Sequence, residues 1–158
     1  MRTVAISLTL IALLFAGCGG GSDDSVIGVE AHDEKMNAAI AHARSTVKDF
    51  VQRLQNPKPT DNGFSVKKKI EDGDEVEHFW LTDISYSNGT FTGLVGNDPQ
   101  SVRNVKFGQR AQVNSTEITD WMYLDGTKMV GNFTLRVLLE RMPKEQAKEI
   151  REKFQIDE

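Results

Sequence analysis

Three histidines and a group of carboxylates among aromatic residues are where this sequence could do chemistry. His32, His42 and His78 could each ligate a metal or pass a proton. His32 and His42 miss the i, i+4 spacing of a helical metal pair, and there is no His-Glu-x-x-His. Glu75, Glu77 and His78 fall on one strand, where the neighbours Glu77 and His78 must face opposite sides. No metal and no cofactor is expected. Asp83, Glu117 and Asp120 stand near aromatics, where burial would raise a carboxylate's pKa. A pair of such groups could cleave a glycosidic bond. The plainer role for Asp120, beside Trp121 at a strand start, is as acceptor for a turn or a helix cap. No Gly-x-Ser-x-Gly is present, though a Ser-His-Asp site using His78 could draw its partners from anywhere in the chain. No phosphate-loop pattern appears. No catalytic residue is assigned. His78, Trp80, Asp120, Trp121, Tyr123 and Arg136 remain as a polar-aromatic set of the kind that anchors interfaces. They would form a binding patch if one face of the sheet met solvent. The competing role is ordinary core packing.

The single cysteine, Cys18, follows an export leader. Arg2 supplies a positive start, and residues 4–15 are an almost unbroken apolar run. That run is too short to cross a hydrocarbon layer of about 30 Å as a helix, and it reads as a secretory signal. Leu14-Phe15-Ala16-Gly17-Cys18 resembles the bacterial lipobox, with Phe15 where Leu, Val or Ile is usual. The resemblance implies cleavage before Cys18, fatty acyl groups such as palmitate on its thiol, and a membrane anchor; several chains hold where one does not. Gly19 in place of Asp implies, by the same resemblance, the outer membrane facing the periplasm in a Gram-negative host.

With Cys18 spent on the anchor, the folded part holds no thiol, which excludes disulfides, zinc-thiolate sites and a catalytic cysteine. A domain of about 120 residues can stand without such staples. The formal net charge is -4. An acidic domain repels phosphate backbones, so no nucleic-acid partner is expected. Lys67-Lys68-Lys69 reads as a solvated strand running into its turn.

Three regions follow: residues 1–17 as signal peptide, 18–32 as a flexible Gly/Ser/Asp-rich tether, and 33–158 as one domain. A helix is expected over 33–55, where Met36, Ile40, Ala43, Val47, Phe50 or Val51, and Leu54 recur at helical spacing, with Asp33 as N-cap. After Pro57 and Pro59 the period changes to two. Strands are expected over 64–70, 76–86 with a bulge near Thr82-Asp83, 90–95, within 105–113 after a tight turn, 118–124 and 127–130. Ser87-Asn88-Gly89 marks a hairpin. Helices are expected over 133–142, capped by Asn132, and over 144–154 after Pro143, with Ala147, Ile150 and Phe154 on one face. The fold class is α+β: an antiparallel sheet or half-barrel of five or six strands, packed with an N-terminal helix and one or two C-terminal helices.

Residues 64–142 resemble the YegJ-like family of bacterial proteins built on the domain of unknown function 2314. The carriers are Phe64-Ser65-Val66-Lys67, Glu77-His78-Phe79-Trp80-Leu81, Phe91-Thr92-Gly93, Val105-Lys106-Phe107-Gly108, Ile118-Thr119-Asp120-Trp121-Met122-Tyr123 and Gly131-Asn132-Phe133-Thr134-Leu135-Arg136. The resemblance implies a small bacterial domain, sometimes exported, with no established activity and so no assigned functional residue.

The expected function is a lipid-anchored envelope protein, a non-catalytic module binding another protein or a cell-wall component. The alternatives are a hydrolase or lyase acting on peptidoglycan, and an envelope inhibitor or immunity protein against a toxin. An enzyme requires a cleft with reachable polar groups. Burial of both Trp80 and Trp121 would weigh against an aromatic patch.

Overall fold

The computed structural model describes residues 33–156, and the backbone of Thr3–Ala5 (β1) and Gly28–Glu30 (β2), which pair antiparallel. Cys18, the cleavage site and most of the leader and tether lie outside the described residues.

The expected first helix is two: α1 (Glu34–Ser45) and α2 (Val47–Gln55). Asp33 caps α1 by accepting from Met36 N–H at 3.1 Å. The break falls at Thr46, whose hydroxyl and N–H both bond back to the His42 carbonyl, at 2.8 and 3.1 Å. Such back-bonding by threonine bends a helix. On either side of it Ala43 and Phe50 are both buried against the sheet.

Six strands follow: β3 (Asp61–Asp72), β4 (Glu75–Ser87), β5 (Thr90–Val95), β6 (Arg110–Asn114), β7 (Asp120–Asp125) and β8 (Lys128–Gly131). All pairings are antiparallel, in the order β6-β5-β4-β3-β7-β8. Asn88 and Gly89 both take positive φ, the geometry of the tight hairpin their types favour. The expected bulge sits at Asp83, φ 48°, where the β4–β5 register shifts.

The sheet is strongly curled. Lys68 in β3 donates its Nζ to the Gln112 carbonyl in β6 at 2.6 Å. These strands are three apart, a separation of about 14 Å in a flat sheet and more than a lysine side chain spans. The strands therefore form a half-barrel with a seam between β3 and β6. Its concave face carries Val66, Phe79, Leu81, Phe91 and Trp121, closed by Phe50 of α2. Its outer face carries Trp80, Met122, Leu124 and Met129, covered by α3 (Phe133–Leu139) and α4 (Lys144–Phe154) through Leu135, Leu139, Ala147, Ile150 and Phe154. Met36 of α1 meets Val137 and Leu138 of α3, and Asp33 pairs with Arg141.

Gly131 ends β8 at φ +79°, where an added Cβ would stand 2.3 Å from the Trp121 carbonyl oxygen and 2.6 Å from its ring. Gly131→Ala is therefore expected to lower stability by about 2–4 kcal/mol, through left-handed strain and overpacking. The readout is a lower urea midpoint at unchanged slope; an unchanged midpoint would contradict the close approach.

Candidate functional site

The register builds a polar cluster on the outer face. Lys67 lies opposite Trp80 in β4 and Asp120 in β7, and Lys69 lies opposite His78. Helix α3 covers this ground. Asp120 is completely buried and accepts from Phe133 N–H at 3.1 Å, Thr134 N–H at 2.8 Å and the Thr134 hydroxyl at 2.5 Å. It is a helix cap supplied from a neighbouring strand. Asn132, the expected cap, occupies the cap position in left-handed conformation, and its side chain makes no capping bond. Its amide instead faces the sulfurs of Met129 and Met122, at 3.3 and 3.8 Å.

Lys67 is buried as well, which corrects the solvated basic run. Its Nζ donates to Thr134 Oγ1 at 2.6 Å, lies 3.9 Å from Asp120 Oδ2, and sits 4.5 Å from the Trp80 ring centroid. Burial pulls its ammonium below the usual lysine range, against the pull of Asp120. His78 places Nδ1 2.9 Å from Thr119 Oγ1. Burial first, then the charges of Lys67 and Lys69, hold its pKa down at about 3, so the imidazole is neutral near pH 7. These groups have the types for acid–base chemistry, but they are committed to one another and closed to solvent.

Trp121 and Tyr123 point to the opposite, concave face. The Trp121 indole donates to the Ala43 carbonyl at 3.0 Å and stacks on Phe50 at 5.0 Å. Tyr123 stacks on Phe64 at 5.0 Å, with the Arg53 guanidinium 5.5 Å from its ring. Arg136 is half-buried on α3 and has interactions of its own. The six residues thus do not assemble into one exposed patch: both tryptophans are buried, on opposite faces of the sheet. Nor do the carboxylates pair, since Asp83 and Glu117 are exposed and Asp120 is buried. Among the described residues no three His, Cys, Asp or Glu side chains gather to hold a metal. Glu77, buried beneath the 97–108 loop, accepts backbone N–H bonds from Gln100 and Ser101 and pins that loop.

The seam is an accessible feature of the described residues. A groove of about 730 Å³ runs along it, lined by Arg44 of α1, Lys68 to Glu71 of β3, Arg110 to Val113 of β6, and residues of the loops on either side. Arg44 is fixed by an Nε–H bond to the Ile118 carbonyl at 2.8 Å. Lys69 is paired with Glu71 at 2.6 Å. Among the described residues no carboxylate pairs with Arg44, Lys68 or Arg110. Val95 N–H bonds to the Gln109 carbonyl and Ser115 N–H to that of Gly89. By antiparallel alternation, Arg110, Gln112 and Asn114 turn their backbone groups away from β5. β6 is thus an edge strand facing the groove, with Lys68 capping one carbonyl.

The fold is that of a small α+β domain whose buried polar residues tie its elements together. The chain belongs to the family described as an uncharacterized protein conserved in bacteria (DUF2314), whose model matches residues 33–157. The match takes in α1, α2 and α4, beyond the stretch whose motifs carried the resemblance. The chain is similar to the uncharacterized protein YegJ of Escherichia coli (strain K12), 42% identical over 155 residues, 98% of this chain and 99% of the relative. It is also similar to a putative ankyrin repeat protein of Neisseria meningitidis serogroup B, 32% identical over 144 residues, 80% of this chain and 53% of that protein. The chain thus spans about half the length of the Neisseria relative. No solved structure matches.

Proposed function

We propose that this protein is a lipid-anchored, non-catalytic binding module of the bacterial envelope, and that the seam groove is its binding site for an anionic partner. The observation that carries the binding site is a contrast of charge states. The interior Lys67, His78 and Asp120 are buried and satisfied, while the accessible Arg44, Lys68 and Arg110 have no carboxylate partner in a chain of formal net charge -4. A peptidoglycan hydrolase would need reachable acid and base groups around a cleft, and Asp120 and His78 are closed off. An inhibitor or immunity protein is a special case of the binding reading, set apart by its partner.

The anchor rests on the leader, with Cys18 placed just after the apolar run. Cleavage there would remove β1, which contributes no strand to the six-stranded sheet. Residues 19–32 would then give a tether with a root-mean-square reach of about 20 Å, enough to stand the domain off a lipid surface.

Growth with a labelled fatty acid is expected to label the wild type, while Cys18→Ala loses both the label and membrane retention. An unlabelled wild type, or full retention of the variant, would overturn the anchor. For the groove, a photo-crosslinking residue in place of Gln112 is expected to give a discrete adduct in intact envelopes, and its absence would count against the site.

A further inference from the structure

We propose that the seam receives an extended acidic segment of another polypeptide, laid along β6, with Phe107 as its aromatic anchor and Lys68 as a latch that changes partner on binding. This rests on the binding-module reading and names its ligand class.

Three independent features converge. The first is the strand edge. β6 offers the outward backbone groups of Arg110 and Gln112 and the N–H of Asn114 over about 14 Å, a row that an incoming extended chain can pair up to the turn where the Asn114 carbonyl accepts from Glu117 N–H. Lys68 holds the middle carbonyl of that row in the free protein, the kind of lysine guard that blunts an exposed edge. A carboxylate arriving beside Lys68 gives its ammonium a stronger partner and releases the Gln112 carbonyl to accept an N–H from the new strand. The second is charge: Arg44, Lys68, Lys69 and Arg110 outnumber Glu71 and Glu117 in the groove's lining, and Arg44, Lys68 and Arg110 have no carboxylate partner among the described residues.

The third is Phe107. It is 60% exposed, the one large hydrophobic residue so exposed among those described. It stands on a turn fixed by Gly108 N–H to the Val95 carbonyl at 2.8 Å, Gln109 N–H to the Lys106 carbonyl at 3.1 Å, and Lys106 N–H to Gln109 Oε1 at 3.0 Å. A phenyl ring held out on a rigid turn loses little entropy on docking, which is how interface anchors work. Its chain neighbours Val105 and Gln109 line the groove, which puts the turn that carries Phe107 beside it. A lipid headgroup would satisfy the cations but could not pair a strand edge, which is why a polypeptide fits better than a membrane surface.

The test uses the full lipidated protein in nanodiscs of zwitterionic lipid. The probe is a fluorescent peptide of alternating Glu and Val, long enough to cover β6, with a Lys/Val peptide and phosphatidylglycerol vesicles as the other arms. The Glu/Val peptide is expected to bind, more weakly as salt rises from about 50 to about 500 mM. Its binding should slow hydrogen exchange at the Gln112 amide. Lys68→Glu and Arg110→Glu should each weaken it by about tenfold or more, and Phe107→Ala by about fivefold or more. All three sites are at the surface, and unchanged urea midpoints would confirm intact folding. Binding without protection at Gln112 would overturn the strand addition. Binding to vesicles but not to the peptide would overturn the ligand class. If the peptide fails while the crosslinker at position 112 still captures a partner, this inference falls and the binding-module reading stands; if both fail, both fall.

Discussion

Asp120→Ala is expected to destabilise the protein by about 3–5 kcal/mol, the cost of breaking a buried charged network by removing one partner. Asp120 accepts four hydrogen bonds, two of them from the first N–H groups of α3. Its loss uncaps α3, strands the Thr134 hydroxyl and leaves the Lys67 ammonium buried without its counter-charge. Since the whole stability of a domain is about 5–15 kcal/mol, much of the molecule should unfold in modest urea. The effect has a signature that simple core damage lacks. Adding Lys67→Met to Asp120→Ala should restore part of the loss, because the uncompensated charge goes with it, and the double-mutant cycle should show strong coupling. Purely additive losses in urea unfolding would mean that Lys67 and Asp120 are not linked through Thr134.

Acidification should destabilise the protein through His78. Its folded pKa is about 3 against 6.5 for the free side chain, because burial and the facing Lys67 and Lys69 disfavour the imidazolium. Below pH 6.5 the unfolded chain takes up a proton that the folded chain refuses, so stability falls as pH falls. The slope is about 1.4 kcal/mol per pH unit and persists until the folded histidine itself protonates. Between pH 7 and pH 4 the loss from this group alone should approach about 3 kcal/mol. Comparing urea midpoints at the two pH values for wild type and His78→Gln isolates it from the carboxylates, and the variant should lose markedly less. Equal losses would show that His78 is solvated in solution.

Much of the fold was legible because local patterns and tertiary demands agree. The stripe from Met36 to Leu54, the Asn88-Gly89 turn, the bulge at Asp83 and the Ala147, Ile150, Phe154 face all do locally what the packing needs. The break at Thr46 was not legible, since the apolar stripe continues through it; the split serves a tertiary contact in which Trp121 bonds to Ala43 and Thr46. The six polar-aromatic residues stand out by type in the sequence, which leaves both a surface patch and core packing open to them. Strand alternation puts Trp80 and Trp121 on opposite faces once the pairing of β3 with both neighbours is known, and that register is non-local. Lys67 carried a readable signal. Phe64, Val66 and Ile70 alternate to one face, so Lys67 must point to the other, and the apolar C-terminal helices have to cover something. The seam had none, because it exists only through the curl that brings β6 back toward β3.

The working surface we propose is the open seam, with the buried cluster serving the fold. The most direct measurement is the yield of the photo-crosslinked adduct at position 112 in intact envelopes, compared between a Lys68→Glu/Arg110→Glu protein and a His78→Gln protein, both shown to be folded. The account predicts that the seam variant loses the adduct while the His78 variant keeps it at the wild-type level. Loss in the His78 variant with the seam variant unaffected would place the function in the interior cluster and contradict the account.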